Sequence, residues 1–190
     1  MRRKVYTKDQ ILKAAYDVIS KEGFSKFTAR NIAKKMGIST QPIYLEFKNM
    51  QDLKNTLVES VMKDLQENVF PIRHTDDAII DLGINYINFA RENRNLYVAL
   101  YVDEYGGGQM MHKVSFEFFK EIVQKDPKYA ALSDDYLKAL HDGTWITVTG
   151  IASLMSSGII QPSQEEIIEL IQRAIEGILN VKEPEKVFES

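Results

Sequence analysis

Thr40, Gln41 and Tyr44 are the residues whose types and spacing point most directly to chemistry. Two hydroxyls and a carboxamide, each able to donate and to accept a hydrogen bond, fall within five consecutive positions. Side chains of this kind read base edges and phosphates without covalent chemistry. They also sit in basic surroundings. Residues 1–56 hold twelve Lys/Arg against five Asp/Glu, while residues 57–190 hold twelve against twenty-two. A head of +7 therefore precedes a body of −10, and the net charge of −3 conceals both. A basic head is an electrostatic footprint for a polyanion.

Other chemistries are poorly supplied. The chain has no cysteine, which removes thiol nucleophiles, disulfides and cysteine-ligated metals. Gly106–Gly108 lacks the Lys-Ser/Thr that would follow in a phosphate-binding loop. His74, His112 and His141 lack metal-like spacing, and a glycine break separates Asp103 and Glu104 from His112. The reading is therefore not an enzyme: no catalytic residue, no metal and no cofactor is expected.

Which elements place Thr40, Gln41 and Tyr44 follows from periodicity and capping. Helical signals dominate the 190 residues, and strand signals are nearly absent. Thr7 and Gln10 have capping-box spacing, with Tyr6 and Ile11 as a hydrophobic staple. Ile11, Ala15 and Val18 then recur with a helical period, and Gly23 stops the helix. Thr28 caps a short second helix ending at Gly37. A third runs from Ser39 or Thr40 to about Phe47, with Pro42 in its first turn, where no intrahelical N–H is needed. Ala33 is small where these two helices would cross, Gly37 permits a left-handed turn, and Ile32, Met36, Ile38 and Ile43 would form a small core. Two short helices with a tight turn in a basic segment predict a DNA-binding helix-turn-helix.

The remainder reads as further helices: Asn49 to Pro71, Thr75 to Glu92, Asn95 to Tyr105, Gln109 to Lys125, Ser133 to about Ser157, and Ser163 to about Val181. The expected fold is all-α with about nine helices. A helix-turn-helix domain over residues 1–48 is followed by a ligand-binding and dimerisation domain over 49–190.

The stretch from Ile11 to Leu53 carries ILKAA, then EGF at the end of helix one, T-x-x-x-I-A in helix two, MGIS in the turn and IY-x-x-FKN-x-x-x-L into helix four. In these pieces it resembles the N-terminal domain of the TetR/AcrR family of bacterial transcriptional regulators. The resemblance implies that the third helix enters the major groove with Ser39, Thr40, Gln41, Pro42 and Tyr44. Gln41 would pair bidentately with an adenine. Thr28 and Arg30 match positions touching the backbone or a base, and Lys48 matches a phosphate contact. Arg2, Arg3 and Lys4 would form a basic arm along phosphates or the minor groove. A second similarity covers Trp145 to Gly158, near the Trp-x-x-x-His-Gly helix of one class of C-terminal domains in this family. Thr149 stands here where that pattern has His.

The acidic body is dense in aromatic residues. Most must be core, and a subset is read as lining an apolar pocket for a small-molecule effector: Tyr86, Tyr97, Tyr101, Met110, Met111, Phe118 and Trp145. At the C-terminus, Ile167, Ile171, Ala174 and Ile178 make a wide stripe. Gly150, Ser153 and Ser157 on the preceding helix permit close helix approach. Together they predict a two-fold four-helix bundle and a homodimer, whose heads would match a palindromic operator in double-stranded DNA. The functional reading is a ligand-responsive regulator, a repressor released from its operator by the effector. The alternative is the same fold controlled by a protein partner, and a ligand-sized cavity would distinguish them. Residues 143–164 carry no charge, but only nine of the twenty-two are apolar, too few for a lipid-facing helix. No membrane partner is expected. The basic, polar start shows no secretory signal, and the location expected is cytoplasmic.

Overall fold

The structure is a computed structural model that describes residues 6–102 and 108–182, with residues 108–113 described by their backbone alone. Arg3, Lys4, Met110 and Met111, named above as contacts, lie outside the described side chains, as does the Gly106–Gly108 break. The described residues contain nine α-helices and no strand. They group into two compact units, one drawn from residues 1–64 and 93–111, the other from 65–92 and 112–190.

The first unit opens with α1 (Lys8–Glu22). Its start is the anticipated capping box: Thr7 Oγ1 accepts from the Gln10 N–H at 3.3 Å, and Gln10 Oε1 accepts from the Thr7 N–H at 3.2 Å. Ile11, Ala15, Val18 and Ile19 are buried on one face. Helix α2 (Ala29–Met36) is capped by Thr28, whose hydroxyl accepts from the Asn31 N–H at 3.2 Å. It ends at Gly37 in the left-handed region, with φ +68°, where a side chain would be strained. The Ile38 N–H reaches back to Ala33 O at 3.0 Å and closes the turn.

Helix α3 (Gln41–Glu46) has Pro42 in its first turn and Ile43 buried beneath it. Asn49 caps α4 (Met50–Asp64) by accepting from the Asp52 N–H at 2.9 Å. The Asp52 carboxylate in turn accepts from the Lys48 N–H at 2.9 Å. Helix α4 packs on α1, and so does the short α6 (Arg94–Tyr97), which continues as a π turn over Val98–Val102. The expected boundary at 48/49 therefore does not coincide with the limits of this unit. Burial on α1 draws in α4 and a segment that resumes at Asn93.

The second unit holds a π turn (Leu65–Val69), α5 (Ala78–Glu92), α7 (Gly108–Val123) from residue 112 onward, α8 (Asp134–Ser156) and α9 (Gln164–Leu179). Helices α5, α8 and α9 pack on one another. Their contact is close at Gly83, where an added Cβ would meet Ile171 Cδ1 at 2.6 Å and Val148 Cγ1 at 3.1 Å. Ser163 and Glu166 form the capping box anticipated for α9.

Three helices are shorter than their patterns suggest. Helix α5 begins at Ala78 rather than Thr75, because the Asp77 carboxylate caps it, accepting from the N–H groups of Ile79 at 3.0 Å and Ile80 at 3.2 Å. Thr75 instead donates its hydroxyl to Asp81 at 2.8 Å. The segment expected as one helix from Asn95 to Tyr105 is α-helical only to Tyr97 and then widens to the π turn. The fourth helix is likewise α-helical only to Asp64. The charge-free run 143–164 is divided between α8 and a loop, and no helix among the described residues is long and apolar enough to cross a membrane.

Candidate nucleic-acid interface

Residue spacing in the first unit sorts side chains to two sides of α3. Ile43 is 1% exposed and Phe47 2%, so these anchor the helix inward. On the opposite side Gln41, Tyr44 and Leu45 are exposed. Ser39 is exposed, and Thr40 and Pro42 are half-buried at the start of the helix. The inward anchors thus leave Gln41 and Tyr44, with the apolar Leu45, facing outward.

Caps elsewhere in the molecule use their hydroxyls. Thr7, Thr28, Ser133 and Ser163 each accept from a backbone N–H. Thr40 occupies the N-cap position of α3 without such a bond, its backbone being α-like rather than extended. Its hydroxyl is therefore not committed to the helix end. The exposed donors and acceptors of α3 are open to an external partner, as a recognition surface requires.

Flanking positions carry the charge. Arg30 is exposed on α2, with Lys34 and Lys35 on the same helix, and Lys48 is exposed just before α4. Lys35 lies 3.6 Å from Asp17 in a pair nearly two-fifths exposed on both sides, which water screens. Lys26 in the turn before α2 and Lys34 and Lys35 on α2 were not singled out from sequence. Their only sequence signal is their share in the positive excess. Lys8 and Lys54, by contrast, lie over the rings of Phe47 and Phe24, at 5.2 and 4.9 Å, and serve as covers of the small core.

The residues anticipated for an effector are divided between the two units. In the first unit Tyr97 is 2% exposed and stacks on Tyr101 with ring centroids 5.6 Å apart. Burial, followed by the neighbouring Tyr97, pushes the Tyr101 hydroxyl far above its ordinary pKa. In the second unit Tyr86 is buried, with its hydroxyl 3.1 Å from Thr149 Oγ1. Phe118 lies against Phe70, with centroids 5.9 Å apart. Trp145 stacks near His141 at 6.3 Å. An open groove of about 520 Å³ in this unit is lined by Ile160, Gln161, Pro162, Glu166, Glu169, Leu170 and Arg173. None of the anticipated aromatic residues belongs to it.

Sequence reading did not connect Ser115, His141 and Asp142, which the second unit brings together. Ser115 Oγ lies 3.0 Å from His141 Nε2, and His141 Nδ1 lies 2.9 Å from Asp142 Oδ1. Lys138 donates to the same carboxylate oxygen at 2.8 Å. This is the order of a nucleophile–base–carboxylate relay. The imidazole, however, is 3% exposed and walled by the edges of Phe116 and Phe119, so its geometry is that of a sealed polar network. Among the described residues no group of three or more His, Asp or Glu is arranged to hold a metal ion.

On the C-terminal helices the expected association stripe is divided. Ile167 and Ile171 are 8% and 0% exposed and pack within the unit, Ile171 against α5 at Gly83. They are corrected from surface to core: α9 meets α5 as well as α8, so its wide apolar face is used twice. Ile178 is half-buried against Gly143, and Ala174 is half-buried. Gly150, Ser153 and Ser157 are exposed, together with Leu170, which widens the stripe on α9, and with Ile146 and Leu154, which the stripe did not include.

Residues 11–56 match the family described as bacterial regulatory proteins, tetR family. The whole chain is similar in fold to FadR from Bacillus subtilis, solved in complex with stearoyl-CoA, at 16% identity over 92% of this chain and 98% of that one, with a TM-score of 0.62. It is similar to SmeT, the repressor of the Stenotrophomonas maltophilia multidrug efflux pump SmeDEF, at 18% identity over 97% and 96% of the two chains, TM-score 0.57. A TetR-family transcriptional regulator from Haemophilus influenzae shares the fold at 18% identity over 89% and 94%, TM-score 0.59.

Proposed function

We propose that this chain is a transcriptional regulator of the TetR family, and that it is a repressor that leaves a palindromic operator when a small-molecule effector binds. The observation that carries the DNA part is the outer side of α3. Gln41 and Tyr44 face solvent and Thr40 makes no cap bond, within a segment of excess positive charge. Gln41 is assigned to a base edge, with Tyr44 and Thr40 to a phosphate or a thymine methyl. Arg30 and Lys48, with Lys34 beside them, supply the salt-dependent phosphate contacts. Thr28 already accepts from Asn31, which leaves its hydroxyl proton for a phosphate oxygen.

Two supports favour the effector and the dimer. One fold relative was solved with stearoyl-CoA and another is the repressor of a multidrug efflux pump. This chain also keeps Gly150, Ser153 and Leu154 of α8 and Leu170 of α9 exposed, a face suited to the same face of a second copy. A two-fold dimer presents two recognition helices about 34–36 Å apart, one turn of B-DNA. The effector acts only through its differential affinity for two states, and a near-complete switch needs about 5.5 kcal/mol of such difference. The proposal places the protein in the cytoplasm, where its operator is.

The test selects bound DNA from a random pool with the full-length protein and then screens small metabolites for release. Recovery of a palindrome with two half-sites one helical turn apart, and a compound that lowers occupancy, is the expected result. Selection of no sequence at low salt would overturn the DNA assignment. An operator that only a protein partner releases would overturn the effector.

A further inference from the structure

One exposed residue of α3 has no part in the assignments above. Leu45 is 73% exposed, while Ile43 and Phe47, its apolar neighbours two positions away on either side, are 1% and 2% exposed. The helical period explains the contrast with Ile43, since two residues from a buried position lies well around the helix, while Phe47 turns inward from the extended backbone that ends α3. The same period puts Leu45 on the side of Gln41. Residues four apart lie one above the other, about 6 Å along the axis. Leu45 is thus an exposed apolar group toward the end of α3, on a helix whose other exposed members, Gln41, Tyr44 and Glu46, are polar.

We infer that Leu45 is a specificity-determining residue that reads a thymine 5-methyl group in the major groove. The inference rests on the DNA-binding reading above and refines it. Leucine carries no donor or acceptor, so it distinguishes bases only by apolar contact. The major-groove edges of the four base pairs offer one methyl group, that of thymine. The rise of about 3.4 Å per base pair sets the distance. With about 6 Å between Leu45 and Gln41 along the helix, the thymine lies one or two base pairs from the one that Gln41 reads. A solitary exposed leucine is ordinary on a protein surface. This one is distinguished by sharing a face with Gln41 on a six-residue helix whose core positions are already filled.

Deoxyuridine provides the test, because it removes the methyl and leaves every hydrogen-bonding group of thymine in place. In the operator recovered by selection, each thymine is replaced in turn, and binding of the full-length protein is measured for wild type, Leu45→Ala and Leu45→Met. Wild type should lose about four-fold at the position that Leu45 reads in each half-site, the worth of one methyl group withdrawn from apolar contact, separately from any loss at a thymine met by Thr40 or Tyr44. Leu45→Ala should bind the thymine and deoxyuridine operators equally at that position, and Leu45→Met should retain discrimination. Substitution at so exposed a side chain leaves the core of the head untouched. Indifference of wild type to every replacement overturns the inference, as does full discrimination by Leu45→Ala. Should either occur while Gln41→Ala still loses sequence preference, Leu45 alone is misassigned. Loss of all sequence-specific binding would instead remove the DNA reading beneath it.

Discussion

His141 Nδ1 lies 2.9 Å from Oδ1 of Asp142, its neighbour in sequence, and the two residues are 3% and 0% exposed. Adjacent helical residues ordinarily diverge. Here they turn toward each other because Lys138, one turn earlier, closes on the same carboxylate and Ser115 of α7 holds the far side of the imidazole. Burial works to raise the Asp142 carboxyl, but hydrogen bonds from Lys138 and His141 outweigh it and hold the group below its ordinary pKa. Asp126 is depressed in the same way: burial opposes, and the N–H groups of Ala78 and Lys128 with the Lys128 ammonium prevail.

These two carboxylates predict acid lability. With folded pKa values below the unfolded ones, the native state binds fewer protons as both titrate. The stabilisation is fully present above the unfolded value of about 4, and is lost as pH falls through the depressed folded values. Urea midpoints measured from pH 6 down to pH 3 should decline. Asp142→Asn should be less stable at pH 6, by about 2–3 kcal/mol for a buried, paired charge, and should decline less steeply below pH 4. A mutant slope equal to that of wild type would show that Asp142 contributes nothing to it.

Tyr129 makes a second buried link. Its hydroxyl donates to Asp77 Oδ2 at 2.7 Å, tying the turn after α7 to the cap of α5. Tyr129→Phe removes a hydrogen bond to a charged acceptor and should cost about 1.5–3 kcal/mol. Equilibrium unfolding checks this, and a variant as stable as wild type would show that the link contributes nothing.

On DNA, Gln41→Ala should lose about 1–3 kcal/mol on the selected operator and relax one base position. Lys48→Ala should weaken all sequences alike and reduce the salt slope by about one. Binding isotherms on operator and random duplex across a salt series separate the two. Equal loss on both duplexes for the Gln41 variant would remove it from base readout.

For assembly, the informative position is Gly150, which is exposed with no atom within 4 Å of an added Cβ. Gly150→Glu is accommodated by the isolated protomer but sets like charges against each other across a two-fold face. Light scattering at micromolar concentration should give a dimer for wild type and a monomer for the variant, with unchanged far-ultraviolet circular dichroism. An undisturbed dimer would move the interface elsewhere.

Short-range physics made much of this protein legible from its residues alone. The capping boxes at Thr7–Gln10 and Ser163–Glu166, the caps at Thr28 and Asn49 and the left-handed Gly37 involve groups within five residues of one another, so the helix ends could be read directly. The buried Ile32 and Ile43 with the exposed Gln41 and Tyr44 follow from a single period. What depended on partners distant along the chain could not be read in this way. A periodic apolar stripe states that a face must be covered but not by what. The stripe at Ile171 could face a second copy or another helix, and in the structure it meets α5 at Gly83. The placement of α6 on α1 and the meeting of Ser115 with His141 were likewise decided only in three dimensions. Local hydrogen bonds and helical period are properties of a few adjacent residues, whereas burial depends on which other helix arrives.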